Sequence, residues 1–304
     1  MMAMDKIYHG QIKLGLIQRG ITVPSILQGL SEVAGGLCSG EPGEEITLAL
    51  GEDFIVKANL NASGQDGPKL VSHGDRLRLH MREGKIGVGI IAIPEFLKQQ
   101  LKQRTPVSEN ICLDGYCLNI FLRAIGRGKK LSMPIEAILS VIQSAFEEGA
   151  ADLVQLNMDF CEEPDRGFDR LAPLVTAIKK RFNTFVALKG FPPTNSGTID
   201  LMYASGFDII DFPLGGFSGT VKSKRKMTAK QVYSALEYAA GVFPPGTVWT
   251  DIVLGTDPIS QCKEGVDRLT DSGIIPLIYL ESDSSENLDG YRNLLELAEH
   301  MDRA

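Results

Sequence analysis

From about residue 106 onward the chain alternates short β-type apolar runs with amphipathic segments of helical period, and this alternation is the strongest constraint on its fold. The β-type runs fall at Leu118–Ala124, Leu153–Leu156, Thr184–Leu188, Phe207–Asp211, Val248–Leu254 and Ile275–Leu280. Helical segments are predicted at Pro134–Glu148, Phe168–Phe182, Gly197–Ala204, Thr228–Val242, Pro258–Ser272 and Leu288–Met301. Thr228 with Gln231 reads as a capping box, and Pro134 and Pro258 suit a first helical turn, where a missing N–H costs nothing. Six such units are too few for a closed eight-stranded barrel. They leave a partial barrel or a doubly wound sheet, which periodicity alone does not separate.

The first third has a different texture. Residues 11–33 carry apolar positions at helical spacing, read as a helical lead-in before the turn-rich Gly35–Gly43. Between Glu45 and Ile93, short runs such as Ile46–Leu50, Phe54–Ala58 and Arg76–His80 are separated by Gln65-Asp66-Gly67-Pro68 and Glu83-Gly84. They predict a small antiparallel sheet. The expected division is therefore a helical and β-rich region over residues 1–105 and an α/β region over residues 106–304.

Composition narrows the function classes. With 31 Lys and Arg against 38 Asp and Glu, the net charge of -7 gives no overall field for nucleic acid or an anionic membrane. No apolar stretch approaches the roughly 20 residues of a membrane-spanning helix. The start, Met1-Met2-Ala3-Met4-Asp5-Lys6, lacks the pattern of a secretory signal, so a cytoplasmic protein with reduced thiols is expected. Five dispersed cysteines are no disulfide framework.

In either α/β architecture the ligand site lies beyond the carboxyl ends of the strands. Asp159 and Cys161 follow the second run, Lys189 ends the third, Asp211 ends the fourth, Asp251 lies in the fifth, and Thr256 and Asp257 follow it. Lys189 inside a barrel invites a Schiff-base role, since desolvation frees an amine for attack on a carbonyl. Asp159, Asp211, Asp251 and Asp257 oppose that by favouring the ammonium, so an ion pair is expected instead. The same carboxylates are candidates for acid–base pairs or for Mg²⁺, against the plainer reading that they hold loops. The run Lys222-x-Lys224-Arg225-Lys226 offers Lys222 and Arg225 as clamps for a phosphate or carboxylate, against the plainer reading of a solvated loop. No phosphate-loop or dinucleotide glycine pattern is present, and His9, His73, His80 and His300 lie away from these strand ends.

The same region also resembles a known family. The residues that carry the resemblance are Phe191-Pro192-Pro193, then Ala204-Ser205-Gly206-Phe207-Asp208-Ile209-Ile210, then Phe243-Pro244-Pro245-Gly246-Thr247-Val248. Ile252-Val253-Leu254-Gly255-Thr256-Asp257-Pro258 and Gly273-Ile274-Ile275-Pro276-Leu277 complete it. In this order they resemble the biotin-synthase-related, lipoyl-synthase-like branch of the radical S-adenosylmethionine superfamily. The resemblance implies a partial (β/α)6 TIM-like barrel of the radical SAM type and a place in anaerobic cofactor metabolism of the biotin or lipoate kind. It departs from the family at the cluster. Cys112-x4-Cys117 replaces the three-cysteine motif, Ile120 stands near the third position, and Arg123 stands where relatives carry a cysteine before Ala-Ile-Gly.

The resemblance thus implies a chain that has lost standard [4Fe-4S] and S-adenosylmethionine binding. Such a chain would serve as a partner or scaffold subunit beside an active relative, or as a small-metabolite binder, with Arg123, Thr256, Lys222 and Arg225 as candidate contacts. Two alternatives stand beside it: an active enzyme with a rearranged Cys112, Cys117 and Cys161 metal site, and a metal-free aldolase-like barrel using Lys189. For the cysteines the plainer reading is three small buried hydrophobes.

Overall fold

The computed structural model describes residues 12–13, 15–17, 19–22, 45–50, 54–61, 67–73, 76–81, 84–91, 93–103, 110–122, 131, 133–217, 227–255, 257–280 and 288–302. The chain divides into two compact units, residues 1–99 and 100–304.

In the first unit, strands β1 (Ile21–Thr22), β2 (Glu45–Leu50), β3 (Phe54–Asn61), β4 (Lys69–His73), β5 (Arg76–Met81) and β6 (Gly84–Ile90) close into a barrel of order β1-β3-β2-β6-β5-β4. Closure removes the exposed edges that an open small sheet would leave. Alternation along β2 buries Ile46, Leu48 and Leu50, and these pack with Val56, Leu60, Leu70 and Leu79 in one core. Ile12 and Leu16 join that core, but Ile21 and Thr22, expected in the helical lead-in, form a strand parallel to β3 instead. The reason is local. Gly20 takes a left-handed φ of 65°, and a side chain there would meet Asn59 and Asn61, so the chain stops its turn and runs alongside β3.

The second unit opens with helix α1 (Glu95–Gln103), whose first residues precede the boundary, and then a hairpin of β7 (Ile111–Asp114) and β8 (Cys117–Leu122). It continues as α2 (Ile135–Glu147), β9 (Leu153–Met158), α3 (Phe168–Arg181), β10 (Phe185–Lys189), α4 (Gly197–Ala204), β11 (Ile209–Asp211), α5 (Ala229–Val242), β12 (Val248–Leu254), α6 (Ile259–Asp271), β13 (Ile275–Leu280) and α7 (Leu288–Met301). The sheet order β13-β12-β11-β10-β9-β8-β7 runs one way along the chain, and β8 to β13 are parallel. A doubly wound sheet reverses direction at a switch point. This sheet has no reversal, so it is wound as the wall of a barrel is wound.

The helices cover one side of the sheet. In α2, Ile138, Leu139, Val141, Ile142 and Ala145 are buried at helical spacing, each fully buried Leu, Ile or Val worth roughly 1.5–3 kcal/mol. On the sheet, Leu118, Ile120, Val154, Leu156, Val186, Ile210 and Ile252 are inaccessible to solvent. The predicted capping box of α5 is present, Thr228 Oγ1 accepting from the Gln231 N–H while the Gln231 side chain accepts from the Thr228 N–H.

Candidate functional site

Because residues alternate along a strand, the register that turns the apolar set to the helices turns the opposite set to the other face. Phe121 pairs with Asn157, Asn157 with Lys189 and Lys189 with Asp211, so these four share that second face. The steps Asp211 to Trp249, then Val253 to Tyr279, add Asp251 and Tyr279 by alternation. Lys189 is the last residue of β10 and Asp211 the last of β11, which sets them at the carboxyl end of the sheet. A cleft of about 380 Å³ opens there, lined by Asn110, Phe121, Leu122, Asn157, Met158, Asp159, Lys189, Gly190, Phe191, Pro213 and Asp251.

At the floor of the cleft the Lys189 Nζ lies 3.0 Å from Asp211 Oδ2 and 2.6 Å from Asp251 Oδ2. Asp211 is fully buried, while Asp251 and Lys189 keep some exposure. Burial works against the ammonium form of Lys189, but Asp211 and Asp251 outweigh it and hold its pKa above the ordinary lysine value. Burial, reinforced by the neighbouring Asp251, pushes the Asp211 carboxyl up to about 6, with Lys189 pulling the other way. The contact to Asp211 is an ion pair without hydrogen-bond alignment. Among the described residues no donor serves Asp211 Oδ1, Asp211 Oδ2 or Asp251 Oδ1, all three shielded from solvent. Lys189 Nζ also sits 5.2 Å from the ring centroid of Tyr279, whose phenol is pushed up by burial and then by Asp251.

Beside the charges runs a chain of amides. Gln155 Nε2 donates to Asn119 Oδ1 at 2.8 Å and to Asn157 Oδ1 at 3.0 Å, and Asn157 Nδ2 donates to Asn119 Oδ1 at 3.1 Å. Three residues from two strands thereby fix one another's amide orientation, and Asn157 carries that order into the cleft. Above it, the loops after β9 and β10 are stitched together. Arg166 adopts a left-handed φ of 57° and donates to the carbonyls of Cys161 and Pro192, with its guanidinium 4.8 Å from the Phe160 ring centroid. Phe160 in turn meets Phe191 edge-on at 5.1 Å, which steadies a wall of the cleft.

Of the residues singled out from sequence, the structure brings Lys189, Asp211 and Asp251 together and puts Asp159 on the rim. Asp257 does a different job: its Oδ2 accepts from the Phe217 N–H at 2.6 Å and ties the segment after β11 to the start of α6. Arg123, Thr256, Lys222 and Arg225 lie outside the described residues. Asn157 stands just past the second predicted run, at the expected mouth, whereas Phe121 and Tyr279 were not singled out by sequence reasoning. The rule of looking just past each strand passes over residues inside the strand. The signal that finds them is the period-two alternation once the inner face is known.

Cys112, Cys117 and Cys161 are not gathered. Cys112 and Cys117 belong to the two arms of the β7–β8 hairpin, where Cys112 faces Asn119 and Cys117 faces Asp114. Gly115-Tyr116 is the two-residue turn, Gly115 with φ 59°, so the spacing serves a hairpin and not a cluster loop. Cys117 pairs with Leu153 at the start of β9, whereas Cys161 follows the far end of that strand, about 16 Å away at roughly 3.3 Å per residue. Ile120 is fully buried on the helix side. Burial, then Asp114, pushes the Cys117 thiol up to about 12. Among the described residues no group of three or more His, Cys, Asp or Glu is placed to hold a metal, and no helix is long and apolar enough to cross a membrane.

No family model and no curated protein matches the chain. The solved structures that match include a Yersinia pestis dihydropteroate synthase with a pterine-sulfa conjugate, at 17% identity and a TM-score of 0.36 over 60% of this chain. This chain spans 65% of that protein, just under two thirds of its length. A Coxiella burnetii dihydropteroate synthase in complex with pteroic acid matches at 16% identity and a TM-score of 0.38, over 62% of this chain and 69% of that one. The enzyme from Vibrio fischeri matches at 14% and 0.33, over 61% and 69%. Likenesses of this size assign no activity to this chain. The expected membership of the radical SAM superfamily is nonetheless corrected: Cys112 and Cys117 lie on the arms of a hairpin and not in a cluster loop, and Cys161 is not gathered with them. With it go the radical SAM type of barrel, the scaffold or metabolite-binding role in biotin- or lipoate-type metabolism, and the rearranged cluster enzyme.

Proposed function

We propose that the second unit is a partial (β/α)6 barrel enzyme that binds a small organic molecule at the carboxyl end of its strands and acts on it by acid–base chemistry. Asp251 accepts the proton, and Lys189 supplies a cationic donor to the negative charge that develops. The observation that carries this reading is the Lys189 ammonium, 3.0 and 2.6 Å from two carboxylates at the floor of a cleft. An ammonium has no lone pair for attack on a carbonyl, so the site favours a donor role for Lys189 over a Schiff base. The ammonium also takes the position between Asp211 and Asp251 that a divalent cation would need. One of its three N–H groups is given to Asp251 Oδ2, and its charge beside Tyr279 remains available to a ligand oxygen. Asn157, held by Asn119 and Gln155, offers a fixed amide beside it, and Phe121 and Phe191 give the cleft apolar walls.

A ligand screen by saturation-transfer NMR against small carbonyl compounds, amines and polyols tests the reading. Compounds that bind the wild-type chain should lose binding at least tenfold in Lys189→Met and Asp251→Asn, and those with an acidic C–H should exchange it for deuterium in D₂O. Binding that survives both substitutions would place the ligand elsewhere and remove the proposal.

A further inference from the structure

Asp211 poses a problem that the cleft alone does not solve. It is fully buried, it does not line the cleft, and both of its carboxylate oxygens lack an aligned donor among the described residues. Asp251 Oδ1 is shielded and unserved in the same way. A buried acceptor without a donor is costly, and more so if charged, so three beside one another are not tolerated without compensation. The groups facing Asp211 are Lys189 from β10 and Asp251 from β12, and Asp251 is within hydrogen-bonding reach of it. Tyr279 from β13 stands beyond them, against Lys189. Lys189 already gives a hydrogen to Asp251 Oδ2, and turning a second N–H to Asp211 Oδ2 serves one of the three. One proton placed between the two carboxyls serves the remaining two at once, as donor on one and acceptor on the other.

We infer that Asp211 and Asp251 hold one proton in common, with Lys189 bridging them, and that Asp211 is the positioning residue that sets the proton affinity of Asp251. The inference rests on the acid–base reading of the cleft and deepens it. Below about pH 6 the dyad carries a single negative charge, balanced by the ammonium. When a bound molecule gives up a proton to Asp251, the shared proton moves fully onto Asp211. The dyad then holds two protons, and the electron pair left on the substrate lies beside Lys189. Return of the proton reverses each movement, and no further reactant is needed. Two carboxylates this close cannot both ionise freely. The pair therefore titrates as a unit, and Asp211 governs it without touching the ligand.

The test is a pH titration of the full-length chain labelled with ¹³C at aspartate Cγ, the two signals assigned by their loss in Asp211→Asn and Asp251→Asn. Both carbons should move together in each of two steps, the upper one well above the ordinary carboxylate range, because a coupled pair gives up its two protons as a unit. In Asp211→Asn the Asp251 carbon should titrate lower by about one unit or more, because the asparagine amide donates to the carboxylate and brings no charge. A purely structural Asp211 would leave the Asp251 titration where it was. Separate steps for the two carbons in the ordinary range would overturn the inference. Should Asp211→Asn fail to fold, the wild-type titration and its infrared band for a buried protonated carboxyl still decide it. Ligands lost in Lys189→Met from a protein whose two carbons titrate ordinarily would sink the shared proton and keep the acid–base cleft. A shared step in a protein whose ligands all ignore Lys189 and Asp251 would do the reverse.

Discussion

Lys189 is the residue on which the site depends, and its removal separates charge from packing. Lys189→Met keeps an unbranched side chain of similar length but leaves Asp211 and Asp251 facing each other without a cation. Breaking a buried ion pair on one side costs about 3–5 kcal/mol. Urea denaturation at pH 7 should show a loss of that order, smaller at pH 5, where proton uptake by the carboxyls relieves the repulsion. Asp211 contributes a pH dependence of definite sign. Its folded pKa, about 6, stands above the roughly 3.9 of a free aspartate. The folded chain thus binds more protons between those values, and the stabilisation from this group is complete below about pH 4 and lost as pH rises through about 6. Lys189 is raised too, so its contribution persists until well above the ordinary lysine value. Relative to wild type, Asp211→Asn should gain about 2 kcal/mol between pH 4.5 and pH 7.5; paired melts showing no differential gain would contradict the raised pKa. These two residues were legible from sequence because each falls at a strand's carboxyl end, and Asp251 because a carboxylate stands inside an apolar run. Tyr279 and Phe121 were not, because their place on the inner face depends on register between strands far apart in the chain.

At the level of elements, the strand and helix positions followed from local chemistry wherever a turn or cap residue marked them. Thr228 and Gln231 are an example that the structure reproduces, and Thr228→Ala should cost about 1 kcal/mol in a chemical melt without altering the cleft. The hairpin of β7 and β8 shows the opposite case. Gly115-Tyr116 is a two-residue hairpin turn that no strand prediction anticipated, and the two cysteines beside it sit on facing arms, Cys112 opposite Asn119 and Cys117 opposite Asp114. Contacts between elements are less visible still. Gly265 in α6 has no motif around it, but a methyl group there would lie 2.3 Å from the Phe217 ring. Phe217 is the residue whose N–H the Asp257 carboxylate accepts. Gly265→Ala should therefore push Phe217 out, cost about 1–3 kcal/mol by overpacking, and broaden the amide signal of Phe217 in NMR spectra. Gly241→Ala, where a methyl meets nothing within 4 Å, is the control.

For the molecule as a whole, the sequence changes texture near residue 105, and the contacts divide the chain between residues 99 and 100. What the sequence left open was the winding of the second sheet, since six βα repeats have the same periodicity in a barrel wall and in a doubly wound sheet. Strand order is set by which neighbours pair, a long-range choice that no window of residues encodes. The closure of the first unit was hidden for the same reason, because β1 is a two-residue strand supplied from within a helical pattern. Each unit has hydrophobic clusters of its own, Leu48, Val56, Leu70 and Leu79 in the first and Leu254, Cys262, Val266 and Leu297 among those in the second. Every residue lining the cleft, and Asp211 behind it, lies between residues 110 and 251. A chain of residues 100–304, large enough at about two hundred residues to bury a core of its own, should accordingly unfold in one cooperative transition. It should keep the common titration step of Asp211 and Asp251 within about half a unit of its full-length position, since the dyad's partners all travel with it. If the fragment folds cooperatively but the step moves to the ordinary carboxylate range, residues 1–99 take part in setting the charge of the site, and the cleft is not a property of the second unit alone.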